Sequence, residues 1–166
     1  MDINLSNKTL RKILLIGFVV LVYVYTIRPA RNILFSFQYN STVSEQTLKE
    51  QKIEVITLEE RAVIFGYGEN QAAKRWHYTI PFGIYFVLSL ALLIMPGGKR
   101  KLILILVIIH FIAMAAASLL LWTGMNWHPN WLMGLDLMAR YLIPFGSFGL
   151  IPLAYIQQKN TNEGNA

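Results

Sequence analysis

The sequence contains no cysteine. No disulfide can therefore crosslink the chain, and neither a thiolate nucleophile nor a thiolate metal ligand can be present. Any segment that lies outside a membrane must be ordered by packing or by a partner protein. This applies above all to residues 28–78, which hold many of the charged side chains.

Charged residues are also scarce, at 14% of the chain, whereas an average soluble domain has about 25%. They are concentrated in a few segments and leave four long apolar runs, at residues 13–27, 79–95, 102–122 and 137–156. Such runs are typical of membrane-spanning helices, because a helix needs about 20 apolar residues to cross the hydrocarbon core. The sequence therefore predicts an all-α membrane protein with four transmembrane helices.

The segments between these runs complete the predicted organisation. Residues 28–78 are expected to form a small α+β extracytoplasmic loop domain between helices 1 and 2, and residues 123–136 a second extracytoplasmic loop. Residues 96–101 are expected to form a tight cytoplasmic turn, and residues 1–12 and 157–166 cytoplasmic tails.

The positive residues of the short loops predict this orientation. The turn 96–101 carries Lys99, Arg100 and Lys101, whereas the connection 123–135 carries no lysine or arginine. Because positive residues favour the cytoplasmic side, we expect the turn and both termini inside and the loop domain outside. The loop domain itself carries seven positive residues, four of them beside span ends, and these favour the opposite orientation.

Within the loop domain, two runs favour β-structure. Residues 53–58 and 62–67 are rich in β-branched and aromatic side chains, and Glu59, Glu60 and Arg61 lie between them. This pattern predicts a β-hairpin. An isolated hairpin is marginal in water, so we expect it to pack on the membrane bundle or on another protein. Before it, a helix is expected to begin near Pro29.

Two features of the third apolar run concern the membrane interior. His110 lies near its middle, and an ionisable residue at that depth is a candidate proton relay or ligand contact. The alternative is a neutral imidazole that is hydrogen-bonded inside the bundle, for example to Ser89, and we favour this alternative. The small residues from Ala113 to Ser118 predict a face on which another helix packs closely.

On the outer side, aromatic residues such as Trp76, Tyr78 and Trp127 are expected at the membrane interface. Asp136 and Arg140 are four residues apart and can form an ion pair on one helical face. They are either a self-contained pair or part of an anion site, with Arg140 pointing into the bundle. The candidate residues for binding an anion or a partner on this side are Arg28, Arg31, Lys74, Arg75, His77, His128, Asp136 and Arg140.

Other chemistry finds little support in the sequence. The three histidines lack the spacing of a metal site, no serine lies in a nucleophile elbow, and no glycine loop suits a nucleotide. We therefore predict no catalytic residue, no metal and no cofactor. The net charge of +6 does not imply nucleic acid, because the positive residues flank the apolar runs.

Residues 76–156 carry a resemblance to a known group of proteins. The segment "WHYTIPFGIYFVLSLALLIMPGGKRK", followed by a helix and by "LDLMARYLIPFGSFGLIPLAY", resembles small multi-pass membrane proteins associated with bacterial exosortase systems. The resemblance implies a protein of the bacterial cytoplasmic membrane that accompanies an exosortase. Because exosortases rely on a cysteine, it implies an accessory protein rather than the enzyme, and it transfers no site residues.

Two functions are therefore expected from the sequence. The first is a non-enzymatic accessory protein of a larger membrane enzyme system of the exosortase type. The second is a binding protein or enzyme for an anionic lipid, such as a polyprenyl phosphate, at the extracytoplasmic face. The lipid bilayer is a partner in both cases.

Overall fold

The computed structural model describes residues 7–67, 74–95 and 100–163. Lys99 and most of the predicted cytoplasmic turn lie outside the described residues, as do the first six and the last three residues. The α-helices are α1 Asn7–Val22, α2 Arg28–Thr42, α3 Glu45–Glu50, α4 Ile84–Ile94, α5 Arg100–Asn126, α6 Leu132–Leu137, α7 Ile143–Phe148 and α8 Leu150–Glu163. The strands are β1 Ile53–Leu58, β2 Ala62–Tyr67 and β3 Arg75–Thr79.

The first helix is longer than the sequence predicts. No new helix begins at Pro29, because α1, a π-helical turn at Tyr23–Ile27 and α2 follow one another without interruption. Proline lacks a backbone N–H and disturbs the hydrogen bonds of the preceding turn. The π turn shifts the hydrogen-bond register directly before Pro29, so that the helix continues. The same arrangement recurs in the last helix, where a π turn at Met138–Leu142 precedes Pro144.

Three helical segments of the described chain are long and apolar enough to cross a membrane: Thr9–Thr42, Arg100–Asn126 and Pro129–Lys159. The second predicted span, 79–95, corresponds to the shorter helix α4 of 11 residues. Its rise of about 16 Å is roughly half of the hydrocarbon core. Thr79 belongs to β3 instead, and an irregular segment at 80–83 connects the strand to the helix.

The predicted hairpin is confirmed, with strand ends where the sequence places them. The antiparallel sheet has the order β1-β2-β3, and the third strand was not predicted. Trp76 and Tyr78 alternate with His77 and lie opposite Phe65 and Val63, respectively. Both aromatic residues are almost fully buried on the inner face of the sheet. The prediction that they face the membrane interface is therefore wrong.

The inner face of the sheet packs on the outer half of α5. Phe65 and Trp76 share a buried cluster with Ala113, Ala117 and Leu121. Helix α2 contacts the same half of α5. The small-residue face of α5 is therefore buried, which confirms the predicted close packing. A second buried cluster joins α4, α5 and α8 toward the other end of the bundle.

The two clusters place the sheet at one end of the bundle and the start of α1 at the other. Lys12 near the start of α1 donates a hydrogen bond to the carbonyl oxygen of Met95, after the end of α4, at 2.6 Å. The sheet instead contacts α5 near Leu121 and Met125 and the following helix at Leu132. The groove between β3 and the last helix is therefore at the end remote from Lys12.

Candidate functional site

The groove is formed by the outer face of β3 and by the beginning of the last helix. Arg75, His77 and Thr79 alternate with buried residues and share the outer face of the strand. Helix α5 ends at Asn126, and after the turn Pro129–Trp131 the chain turns back so that α6 packs against β3. On the helix, Asp136 and Arg140 are one turn apart and face the strand, which places them beside His77.

His77, Asp136 and Arg140 form a cluster around one carboxylate oxygen. The Oδ1 atom of Asp136 lies 2.8 Å from Nδ1 of His77 and accepts a hydrogen bond from Nε of Arg140, also at 2.8 Å. Nη2 of Arg140 lies 3.2 Å from the same ring nitrogen of His77. The predicted ion pair of Asp136 and Arg140 therefore forms, and it includes a third residue that links the helix to the sheet.

The contact with Asp136 indicates which ring nitrogen of His77 carries a proton. An unprotonated Nδ1 would place two lone pairs 2.8 Å apart, whereas a protonated Nδ1 donates to the carboxylate. We therefore assign the proton to Nδ1 of His77, and the Arg140 contact is then a close approach without hydrogen bonding. With Nδ1 engaged by Asp136, the other ring nitrogen is the one left for a ligand or water.

A basic cavity of about 470 Å³ adjoins this cluster. Its lining residues come from the start of β3 and from the last helix: Lys74, Arg75, Trp76, Asn130, Met133, Asp136 and Arg140. Three cations therefore meet one carboxylate at this surface. Asp136 is largely buried, whereas about half of the Arg140 side chain is exposed. The expectation that Arg140 points into the bundle is wrong, since it lines an open cavity.

The structure does not bring all eight predicted residues together. Lys74, Arg75, His77, Asp136 and Arg140 gather at or beside the basic cavity. Arg28 is exposed on α2 and is not among the residues that line it. His128 is exposed, and its Nδ1 accepts a hydrogen bond from the backbone of Asn130 at 3.1 Å. His128 thus caps the turn before α6.

Arg31 lies in a different place, buried between α2 and the segment before α4. Its Nε atom donates to the carbonyl oxygens of Ile80 and Pro81, at 3.1 and 2.9 Å, and its Nη2 donates to that of Ile80 at 2.5 Å. These hydrogen bonds hold the irregular segment in which Phe82 has a positive φ of 65°. Arg31 therefore connects the first helix to the entry of α4.

His110 is fully buried in the bundle, as expected, but its partners differ from the prediction. Nδ1 lies 2.9 Å from the carbonyl oxygen of Leu106, and Nε2 lies 3.4 Å from the hydroxyl of Ser147. Ser147 donates its proton to the carbonyl oxygen of Ile143 at 2.6 Å, so Nε2 gains little from it. Ser89 forms no hydrogen bond with His110 or with any other described residue.

No protein-family model, no curated protein and no solved structure matches the chain. The fold and the site are therefore interpreted from their own geometry. Within residues 7–67, 74–95 and 100–163, no group of three or more histidine or acidic residues is arranged to hold a metal ion. The described side chains of the groove supply cations, one carboxylate and one histidine.

Proposed function

We propose that this protein is a non-enzymatic accessory subunit of a membrane enzyme system and binds an acidic segment of its partner in the basic cavity. The observation that supports this function most is the convergence of Lys74, Arg75 and Arg140 on one open cavity, in which Asp136 is the only acid among the described lining residues. Complementary charge of this kind selects a partner and sets its orientation.

Part of the cavity wall is held in place by contacts within the protein, which favours recognition. The cluster of His77, Asp136 and Arg140 joins the sheet to the last helix through two contacts of 2.8 Å. Trp76 is held in the buried core of the sheet. At Trp76, Asp136 and Arg140 a ligand therefore meets side chains whose positions are set before binding, and preorganisation of this kind lowers the cost of association.

The cavity lies at the outer boundary of the membrane, where an acidic segment of a protein partner can reach it from the water layer. Along α5, His110 lies about 15 Å from Arg100. His110 is beside Ser147 of the last helix. Along that helix, Asp136 lies about 16 Å farther from the level of Arg100 than Ser147 does. Asp136 is thus roughly 31 Å from the level of Arg100, at the outer limit of a hydrocarbon core of about 30 Å. The rest of the cavity, toward Asn130, opens into the water layer.

In this proposal the chain lies in a bacterial cytoplasmic membrane, with both termini in the cytoplasm and the sheet outside. Helix α4 and the segments on either side of it complete a fourth crossing. The first span suits a subunit that packs against another membrane protein, because none of the residues in its apolar window within Thr9–Thr42 is buried by the rest of the chain. An exosortase-type enzyme is the partner that the resemblance of residues 76–156 implies.

Photocrosslinking in native membranes tests this function. A photoreactive amino acid replaces Met133, which lines the cavity and is largely exposed. We expect it to crosslink to an acidic segment of one membrane protein, which mass spectrometry of the crosslinked peptide identifies. Lys74→Ala combined with Arg75→Ala should lower the yield about fivefold to tenfold, because each exposed charge pair contributes up to about 1 kcal/mol.

Arg28→Ala is the matched control, because Arg28 is an exposed arginine of the same outer surface that does not line the basic cavity. It should leave the crosslink unchanged, and raised ionic strength should weaken the crosslink in the unsubstituted protein. Crosslinks that reach only lipid, or a yield that Arg28→Ala and the double variant lower equally, would contradict the proposed function.

A further inference from the structure

Arg31 lies at the outer boundary of the membrane. Lys12 is hydrogen-bonded to Met95 at the opposite end of the bundle, and Arg31 follows it in the same helix by about 28 Å at 1.5 Å per residue. This distance is close to the hydrocarbon thickness of about 30 Å. Arg31 is nevertheless only 8% exposed, so its charge is held away from water at the depth of the lipid phosphates.

The charge of Arg31 is hydrogen-bonded but not neutralised. No ion pair joins Arg31 to a described carboxylate; the ion pairs of Asp136 are with His77 and Arg140. The carbonyl oxygens of Ile80 and Pro81 engage Nε and Nη2. Nη1 has only a long contact of 3.5 Å with the hydroxyl of Tyr23. A buried arginine at this depth pairs with backbone carbonyls or with an anion, and Nη1 remains available to bind an anion.

A cavity of about 340 Å³ with both charged and apolar lining residues lies on one side of Arg31, and we call it the boundary cavity. Arg61 lines it and is close enough to Arg31 for repulsion between the two charges. The lining acid, Glu59, is exposed. Gly83 also lines the cavity, and a Cβ atom at this position would lie 3.4 Å from Nη2 of Arg31. The absence of a side chain at Gly83 therefore keeps the guanidinium accessible.

An apolar cavity of about 340 Å³ lies on the other side of Arg31, and we call it the tail cavity. Its surface is apolar, and Arg31 and Ile80 line both cavities. The tail cavity lies between the first helix and α5, and its lining includes Ala30, Phe82 and Phe111. A charged cavity and an apolar one thus meet at a single buried arginine.

We propose that these two cavities bind one anionic lipid, with its phosphate at Arg31 and Arg61 and its hydrocarbon chain in the tail cavity. The phosphate neutralises the two arginines, and the hydroxyls of Tyr23 and Thr79 are within the same lining. The chain fills the apolar space beside Phe82 at hydrocarbon depth. This site shares no residue with the basic cavity, so it is independent of the proposed partner binding.

Native mass spectrometry of the purified protein in a neutral detergent tests the lipid site. Three probes separate the contributions: lysophosphatidic acid carries a phosphate and one chain, lysophosphatidylcholine carries one chain without net charge, and inorganic phosphate has no chain. We expect lysophosphatidic acid to bind at least about tenfold more tightly than either of the others, because charge-assisted hydrogen bonds and apolar burial both contribute.

Arg61→Gln is the informative variant, because the Arg61 side chain is not among the hydrogen bonds that hold the irregular segment, whereas Arg31 holds that segment in place. It should weaken the binding of lysophosphatidic acid about tenfold and leave the binding of lysophosphatidylcholine unchanged. Ala30→Phe introduces a ring at the exposed side of the tail cavity and should also weaken the binding of lysophosphatidic acid. Arg28→Gln, one turn before Arg31 and outside both linings, should change neither probe.

Equal binding of the two lysolipids would overturn the phosphate site. Inorganic phosphate that binds as tightly as lysophosphatidic acid, or Ala30→Phe without effect, would overturn the assignment of the chain to the tail cavity. Lys74→Ala combined with Arg75→Ala should not alter lysophosphatidic acid binding. A loss of partner crosslinking with retained lipid binding, or the reverse, therefore separates this inference from the proposed function.

Discussion

The cluster of His77, Asp136 and Arg140 gives a sharp test of what joins the sheet to the last helix. Asp136→Asn preserves the shape of the side chain and removes the charge that both neighbours approach at 2.8 Å. Hydrogen bonds to charged groups contribute about 1.5–3 kcal/mol when buried and about 0.2–1 kcal/mol when exposed. Because Arg140 is 51% and His77 is 39% exposed, we expect a total loss of about 1–2 kcal/mol.

Arg140→Gln should cost less, at about 0.5 kcal/mol, because Asp136 then retains its contact with His77. The double variant should lose less than the sum of the two single losses, with a coupling of about 0.5 kcal/mol, because Arg140→Gln has no ion pair left to remove once Asp136 is neutral. Thermal unfolding at a fixed heating rate in detergent provides the comparison, and 1 kcal/mol corresponds to about 2–4 °C for a chain of this size.

Glu54→Gln is the control, because Glu54 is an exposed acid of β1 and forms neither of the ion pairs of the described residues. A midpoint for Asp136→Asn equal to that of Glu54→Gln, or a larger loss for Arg140→Gln than for Asp136→Asn, would refute this account. The same variant also bears on the basic cavity. Asp136→Asn removes the one acid among the described residues that line it, so it should strengthen crosslinking to an acidic partner despite the lower stability.

Two further outcomes follow from the fold. Burial raises the pKa of Tyr78. Above about pH 10 the unfolded chain loses this proton while the folded protein keeps it, so the free energy of unfolding should fall above that pH. Tyr78→Phe should reduce the dependence of the unfolding free energy on pH. Thiol labelling tests the orientation in the membrane. A cysteine at Ser44 should react with a membrane-impermeant thiol reagent in whole cells and one at Lys101 should not, and the native chain gives no background because it lacks cysteine. The reverse pattern would invert the proposed topology.

The sequence predicted the hairpin well because both strands carry their signal locally. Residues 53–58 and 62–67 alternate or are rich in β-branched side chains, and charged residues separate them. Strand β3 was missed because its five residues directly precede a long apolar run. Aromatic residues beside such a run are typical of a membrane interface, and only pairing with β2 distinguishes Trp76 and Tyr78 from an interfacial belt.

The candidate site was predictable only where charge and spacing sufficed. Asp136 and Arg140 are one helical turn apart, so their ion pair follows from the sequence. The burial of Arg31 does not, since its hydrogen bonds reach backbone carbonyls 49 and 50 residues later. A carbonyl acceptor is present at every residue and leaves no signal in the side chains. Arg61 was likewise assigned only to the turn of the hairpin.

The two π turns lie beside the two arginines on which the proposed sites depend. Each precedes a proline, at Pro29 and Pro144, and each lets a long helix continue past it. The first includes Tyr23, which contacts Arg31, and the second includes Arg140, which contacts Asp136. Because a π turn widens the helix by one residue, it alters which side chains face a neighbouring element. The prolines that disturb the helices thus lie beside both the boundary cavity and the basic cavity. Restoring regular helix at either site should move the arginine beside it away from its partners.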